Sequence, residues 1–478
     1  MSGYSTKNSK TAMKKLPLHL LVAFTLLSFF ACKENSNKKT NHAVKETSQS
    51  AIDSTQLSDD ALLELVQKQT LKYFWDYAEP NSGLARERFH PDGKYPKNDP
   101  KIVTTGGSGF GLMGIVVGIE RNFINRKEAV LRLEKIADFL ANTPRYHGAW
   151  PHWINGETGN TKNFGSDSTD NGGDIVETSF LAQGFIVVRE YLKNGNEKEK
   201  AVAEKFNKLW NGIEWNWYTN HKNGIFWHWS PNYKFEKNFM IEGYNECLIT
   251  YVLAASSPEH SIQSEVYHQG WARNGNIITN KKAYGIPLIL KHNTVGGKGG
   301  PLFWAHYSFL GLNPKGLKDK YANYWNLNVN HSRINYEYCQ ENPNNYKTYA
   351  KNSWGLTASY TKNKDGSTGY TAHSPDDDHG VVSPTAAVSS LPYTPKESMR
   401  AIRHFYTDLN ELTWGPAGFY DAFSLENGKW AAKKYLAIDQ GPMIVMIENY
   451  RTGLIWNLFM QAPEVQQGLD KLGFTYSK

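Results

Sequence analysis

The chain has 478 residues and a formal net charge of +7, enough length for one large domain or two ordinary ones. Residues 1–52 hold eight lysines against two glutamates. The basic character therefore belongs to the leader, and the remaining chain carries no electrostatic footprint for nucleic acid. Fifteen Trp, 27 Tyr and 22 Phe are many aromatics for this length. Aromatic faces stack on the C–H surfaces of sugars, and they also fill helical cores.

Residues 1–32 read as a targeting segment. Lys7, Lys10, Lys14 and Lys15 precede an apolar stretch from Leu16 to Ala31 that is too short to span a bilayer as a permanent helix. Ala31-Cys32 resembles a bacterial lipobox, although Phe30 is bulky where a small residue is usual, so Cys32 is the expected lipidation site. The following Lys33-Glu34 looks like a surface-export signal of Bacteroidetes lipoproteins. A plain secretory signal is the other reading. Residues 33–57, rich in Lys, Asn, Ser and Thr, read as a flexible tether. The expected location is the outer membrane, on its periplasmic face or at the cell surface, through the lipid anchor. Cys247 and Cys339 are the only other cysteines, and nothing in their spacing argues for or against a disulfide.

The folded part is expected over 58–478. Ser58-Asp59-Asp60 is a good N-cap, and Leu62, Leu65, Val66, Leu71, Phe74 and Trp75 follow at helical spacing. Thr104 to Glu120 is an apolar run laden with glycine. It lacks GK[ST] and any surrounding βαβ unit, so it reads as a helix whose small residues permit close packing rather than a phosphate loop. Arg126 to Asn142 is an amphipathic helix. The aromatic loop Tyr146-His147-Gly148-Ala149-Trp150-Pro151-His152-Trp153 comes next.

The stretch from Asp170 to Val188 organises the reading. Asp170, Asp174 and Glu177 stand at i, i+4 and i+7, a spacing that puts three carboxylates on one helix face. The helix then becomes apolar nearly all round, as a buried helix does. Carboxylates at such a mouth gain from the positive dipole end, so plain capping is the competing explanation. A second aromatic loop holds Trp227 and Trp229. Glu242-Gly243-Tyr244-Asn245-Glu246 then opens another apolar helix, Cys247 to Ala255, with two carboxylates at i and i+4 at its mouth. Further on come Trp304, a helix from Tyr321 to Cys339, and the acidic run Asp376-Asp377-Asp378. That run lacks EF-hand spacing and reads as solvated, with calcium as the alternative. Helical pattern resumes from Pro384, interrupted by the aromatic loop at Trp414; Tyr435 to Pro442, which holds Asp439, leads into Met443 to Tyr450, and the last helices run to Leu472. Twelve or more helices without strand–helix alternation predict an all-α class, a closed helical toroid with short β pieces in its loops.

Tyr73-Phe74-Trp75-Asp76, Gly107 to Gly118, Trp150-Pro151-His152-Trp153, Asp174-Ile175-Val176-Glu177-Thr178, Glu242 to Glu246, Trp414-Gly415 and Ile438-Asp439-Gln440-Gly441-Pro442 together resemble the glycoamylase-like domain. The nearest group by these motifs is glycoside hydrolase family 144, the bacterial endo-β-1,2-glucanases, and the resemblance covers roughly residues 60 to 475. It implies an (α/α)6 toroid, a β-1,2-linked glucan or its oligosaccharides as substrate, and inversion at the anomeric carbon. Its carboxylates match Asp170, Asp174, Glu177 and Glu246, the candidate catalytic set. Trp150, His152, Trp153, Trp227, Trp229, Glu242, Trp304, Trp414 and Asp439 are the candidate substrate-binding set. No cofactor, metal or nucleic-acid partner is implied, and a monomer is expected.

Glycoside hydrolysis needs one acid to protonate the leaving oxygen and one carboxylate to activate water or attack. The expected pair is Glu246 with one of Asp170, Asp174 and Glu177, the roles unassigned. A non-catalytic glycan-binding lipoprotein would share the aromatics and the anchor. An α-glucan hydrolase or a lyase of similar fold is a third reading.

Overall fold

The computed structural model describes residues 57–477, apart from 96–99, 166–167 and 294–295. The targeting segment, Cys32 and the tether up to residue 56 lie outside the described residues. Twelve helices of six or more residues occur among those described: α1 Asp59–Trp75, α2 Thr105–Glu120, α3 Arg126–Asn142, α4 Ile175–Leu192, α5 Glu197–Asn211, α6 Leu248–Ser256, α7 Tyr324–Glu341, α8 Pro384–Ser389, α9 Pro395–Thr407, α10 Ala437–Arg451, α11 Leu454–Met460 and α12 Pro463–Lys471. The molecule is helix-rich.

Burial divides these helices into two kinds. Every residue of α2 from Thr105 to Ile119 is buried, as is all of α6 and all of α8. A helix with no polar face has to sit inside. By contrast α3 buries only Ala129, Val130, Leu133, Ile136, Ala137 and Leu140, one stripe at helical spacing. The inner helices touch in succession. Helix α2 packs on α4, α4 on α6, α6 on the short helical turn Tyr307–Phe309, and α8 on α10, which returns to α2. The His306 ring bridges the turn to the end of α8 through Ser390, 3.0 Å away. Outer helices lie against them: α1 on α2 and α10, α5 on α4, α9 on α8.

The glycine run of α2 makes the closest of these contacts. A Cβ on Gly109 would stand 2.2 Å from the carbonyl oxygen of Phe180 in α4, and one on Gly184 would stand 2.5 Å from that of Gly109. These helices meet backbone to backbone, so the run is packing surface.

Strands are short and antiparallel, and most have two or three residues. The longest pair, Ala358–Lys362 with Thr368–Ala372, is a hairpin inside what the sequence presents as one long loop.

One expectation about the acidic helix mouths needs correcting. The sequence places Asp170, Asp174 and Glu177 on one helix face, but α4 begins only at Ile175. Gly173–Asp174 is a short strand paired with His228–Trp229, and a Cβ on Gly172 would meet the Trp229 carbonyl at 2.1 Å. Glycine lets that extended segment dock, so Asp170 lies in the preceding loop, Asp174 is the N-cap, and only Glu177 is helical. The other mouth stands as expected: α6 begins at Leu248, one residue from the expected start, with Glu242 and Glu246 in the segment before it. Cys247 and Cys339 are buried free thiols. Asp378 accepts bonds from the Tyr338 hydroxyl at 2.8 Å, the Gly380 amide at 3.0 Å and Asn344 at 3.2 Å, so the acidic run is not simply solvated. Among the described residues no His/Cys/Asp/Glu group is arranged to hold a metal ion.

Candidate active site

A cavity of about 360 Å³ opens beside the N-terminal ends of α2, α4 and α10. Its wall includes Thr104, His152, Trp153, Glu177, Trp227, Glu246, Phe303 and Tyr307, with Glu87, Arg88, Tyr370, Leu436 and Ile438 on another side.

Asp174 sets up one wall without lining it. Its Oδ1 accepts the amides of Val176 at 3.0 Å and Glu177 at 2.9 Å, capping α4. Its Oδ2 takes the His152 ring Nδ1 at 2.8 Å and the Trp227 indole N–H at 3.1 Å. Burial works against the charge, but these donors and the His152 charge outweigh it, and the carboxyl is held below its usual value. Burial also works against protonation of His152, yet the charge of Glu177 and the bond to Asp174 prevail and raise it to about 9. His152 is thus an imidazolium at neutral pH. Its Nε2 stands 3.9 Å from Glu177 Oε1.

Glu177 reaches the cavity from the first turn of α4. Its Oε2 accepts the Gly106 amide at 2.8 Å and the Thr104 hydroxyl at 3.4 Å, at the start of α2. A Cβ on Gly106 would stand 2.6 Å from that oxygen, so this approach requires glycine. Burial raises the Glu177 carboxyl above its usual value, and the Asp174 charge adds to the shift. Glu246 enters from the segment before α6. Burial, with the charges of Glu177 and Asp174, pushes it up to about 7. One carboxyl of the site is therefore half-protonated near neutral pH, which is what a general acid needs.

Asp439, one residue from the cavity-lining Ile438, is buried in the first turn of α10. Burial and the adjoining Asp421 raise it well above its usual value, so the two acids share a proton. Neither Asp439 oxygen takes a hydrogen bond from a neutral donor among the described residues. The Tyr307 hydroxyl, buried and likewise without a partner there, lies within the fields of Asp439, Glu177 and Glu246. Glu177 and Glu246 thus share one hollow, with Asp439 buried beside its lining residue Ile438.

The other sequence-predicted residues separate clearly. His152, Trp153 and Trp227 line the cavity. Asp170 does not; it pairs with Lys237 Nζ at 2.5 Å and faces His228 Nε2 at 3.4 Å. The sequence offers Trp150 as a sugar-binding ring, but it is 0% exposed. Its indole donates to the Leu140 carbonyl and the Thr143 hydroxyl, and its ring packs on Phe185, so it is core. Trp229 lies against His147 and Trp217 outside the cavity. Glu242 is paired with Arg273 at 2.8 Å. Trp304 packs on Tyr244 and His292, while its neighbour Phe303 faces the cavity. Trp414 packs on Tyr406 and Phe419. Sequence reasoning missed Glu87, Arg88, Tyr307 and Tyr370. For Tyr307, the signal within reach was its place three residues after Trp304.

Comparison with known proteins places the chain in a family. A family model described as "Putative glucoamylase" matches residues 238–463. A solved endo-β-1,2-glucanase from Chitinophaga pinensis, in complex with sophorotriose and glucose, is 56% identical. It superposes with a TM-score of 0.85 over 88% of this chain and 99% of that one. An exo-β-1,2-glucooligosaccharide sophorohydrolase (non-reducing end) from Parabacteroides distasonis is 42% identical over 437 residues, 87% of this chain. The chain spans 58% of that curated relative's length. The endo-β-1,2-glucanase of Talaromyces funiculosus, 10% identical with a TM-score of 0.59 over 87% of this chain and 92% of that one, shares the fold alone. The chain thus belongs, with the Chitinophaga enzyme, to the glycoamylase-like family of bacterial β-1,2-glucanases, glycoside hydrolase family 144.

Proposed function

We propose that the protein hydrolyses β-1,2-linked glucan or its oligosaccharides by an inverting, two-carboxylate mechanism. The observation that carries this reading is Glu246, poised at about 7, in one aromatic-walled cavity with Glu177. Glu246, neutral in half the molecules near pH 7, gives its proton to the glycosidic oxygen. Glu177, fixed by the Gly106 amide and facing the His152 cation, is the carboxylate that activates water. Asp174 orients His152 and Trp227 and stays ionised throughout. The Asp439–Asp421 pair is the second reading for the water-activating group, favoured by its buried oxygens without neutral donors.

The inner succession α2, α4, α6, Tyr307–Phe309, α8 and α10, with α1, α5 and α9 packed against its outer side, supports an (α/α)6 toroid. The Cys32 lipobox supports an exported, membrane-anchored protein, and the folded part at 58–478 is taken as a monomer.

The test is product analysis on linear β-1,2-glucan, with the anomer followed by NMR from the first turnover. The α-anomer must appear first. Glu246→Gln and Glu177→Gln must each lower kcat by roughly 10²-fold or more while the protein stays folded. Wild-type rates in both variants, or activity restricted to other linkages, would remove the reading. If Glu177→Gln keeps its rate and Asp439→Asn loses it, the water-activating role passes to Asp439.

A further inference from the structure

Trp227 is held more firmly than a sugar-binding ring inside one cavity requires. Its amide donates to the Phe239 carbonyl at 2.9 Å, its carbonyl accepts the Ile175 amide at 3.0 Å, and its indole N–H goes to Asp174. Phe239 leaves the same pair of short strands, where Phe226 pairs with Met240, and stacks on the Trp227 ring. The centroids are 5.4 Å apart and the planes 16° from parallel. Trp227 lines the cavity; Phe239 does not, and it is 55% exposed, more than any other large hydrophobic side chain described. An exposed apolar ring is ordinary by itself; this one stacks on a ring that lines the cavity and so extends that wall outward.

The size of the cavity says how much of a glucan it holds. About 360 Å³ lies near the lower end for small-molecule sites, so a glucan chain fills it with few units and must leave over the rim. The rim at Trp227 is continuous with the Phe239 ring. The face of a glucosyl ring is a flat array of C–H groups that an aromatic ring covers well.

We infer that Phe239 is a binding platform for a glucosyl unit of the chain outside the cleavage cavity, and that it makes the protein favour chains longer than the cavity holds. This rests on the β-1,2-glucan reading above. Three bonds and the stacked partner keep the outer platform in register with the inner one, so a chain binds without reordering this wall.

The test compares kcat/KM on linear β-1,2-glucan and on the shortest oligosaccharide that wild type cleaves. Phe239→Ala must lower the value for the polymer about five- to tenfold, mainly through KM, and leave the short substrate within about twofold. Phe239→Trp must keep the preference for the polymer. Phe239→Leu, which still covers Trp227 but has no aromatic face, must lose it. Equal losses on both substrates would mean that the ring only props Trp227, and unchanged values on both would mean that no sugar sits there. Either result overturns the inference alone. A wild type that cleaves no β-1,2-glucan overturns this inference together with the function it rests on.

Discussion

Asp174 and Glu246 are both carboxylates withdrawn from water beside one cavity, yet they end up in opposite protonation states. Asp174 receives four donors, two of them backbone amides of a helix start, and stays ionised. Glu246 faces other carboxylates, and burial dominates. The pH dependence of folding follows. The Glu246 carboxyl titrates at about 7 in the folded protein and near the ordinary glutamate value when unfolded. Between those values the folded state holds the extra proton, so stability falls as pH rises through the window and levels off above it. The loss is about 3–4 kcal/mol at most. Glu246→Gln removes this titration. Its Tm must therefore gain on that of wild type between about pH 4.5 and pH 8. A constant Tm difference across that range would show that Glu246 is not the perturbed group. Much of this was legible beforehand. Asp174, Glu177 and Glu246 announce themselves as acids beside apolar helices, because unpaired charge is costly there. Trp150 and Tyr307 did not. An aromatic residue in a loop carries no mark of which way it faces, and the two exchange roles: one is core, the other lines the cavity.

At the scale of the helix, spacing predicts type well and starting points poorly. Arg126–Asn142 falls where its stripe says, because Asn125 caps it with its own side chain. The start of α6 was placed within one residue, but that of α4 was placed too early, since nothing local reveals that Gly173–Asp174 is drawn out to pair with a strand over fifty residues on. The glycines of α2 were read correctly as packing, and they offer a test in which two effects oppose. Alanine at Gly109 would favour the helix by roughly 1 kcal/mol through propensity. It would also drive a Cβ to 2.2 Å from a backbone oxygen that cannot rotate away. Overpacking of that kind costs about 1–3 kcal/mol and occasionally more, and here the obstacle is main chain on a neighbouring inner helix. Packing wins, so Gly109→Ala must be destabilised by about 2 kcal/mol or more in denaturant titration. Gly297→Ala, where nothing lies within 4 Å, must be neutral. Equal stabilities would mean that α2 and α4 do not meet as described.

Across the whole molecule, the succession of inner helices has to be joined where the last long helix returns to the first ones, and one buried carboxylate makes that seam. Glu448 of α10 takes Arg121 at the end of α2 through both oxygens, at 2.8 and 3.0 Å. It also takes Gln67 of α1 at 3.0 Å and the Thr452 hydroxyl at 2.7 Å. Burial opposes its charge, but these donors hold the carboxyl below its usual value. The contribution is therefore complete above the ordinary glutamate range and lost as pH falls through the lowered folded value. Removing one partner of such a buried set costs about 3 kcal/mol, because Arg121 and Gln67 keep their own desolvation costs unanswered. The joined elements lie more than 300 residues apart in sequence. If the helices form one closed unit, the loss spreads to all of it, and Glu448→Ala lowers a single melting transition seen alike by far-UV circular dichroism and tryptophan fluorescence. The gap from wild type must be largest near neutral pH and shrink toward pH 3, opposite in sense to that of Glu246→Gln. Two separated transitions in the variant would mean that the chain is an open row of helical pairs whose ends melt alone.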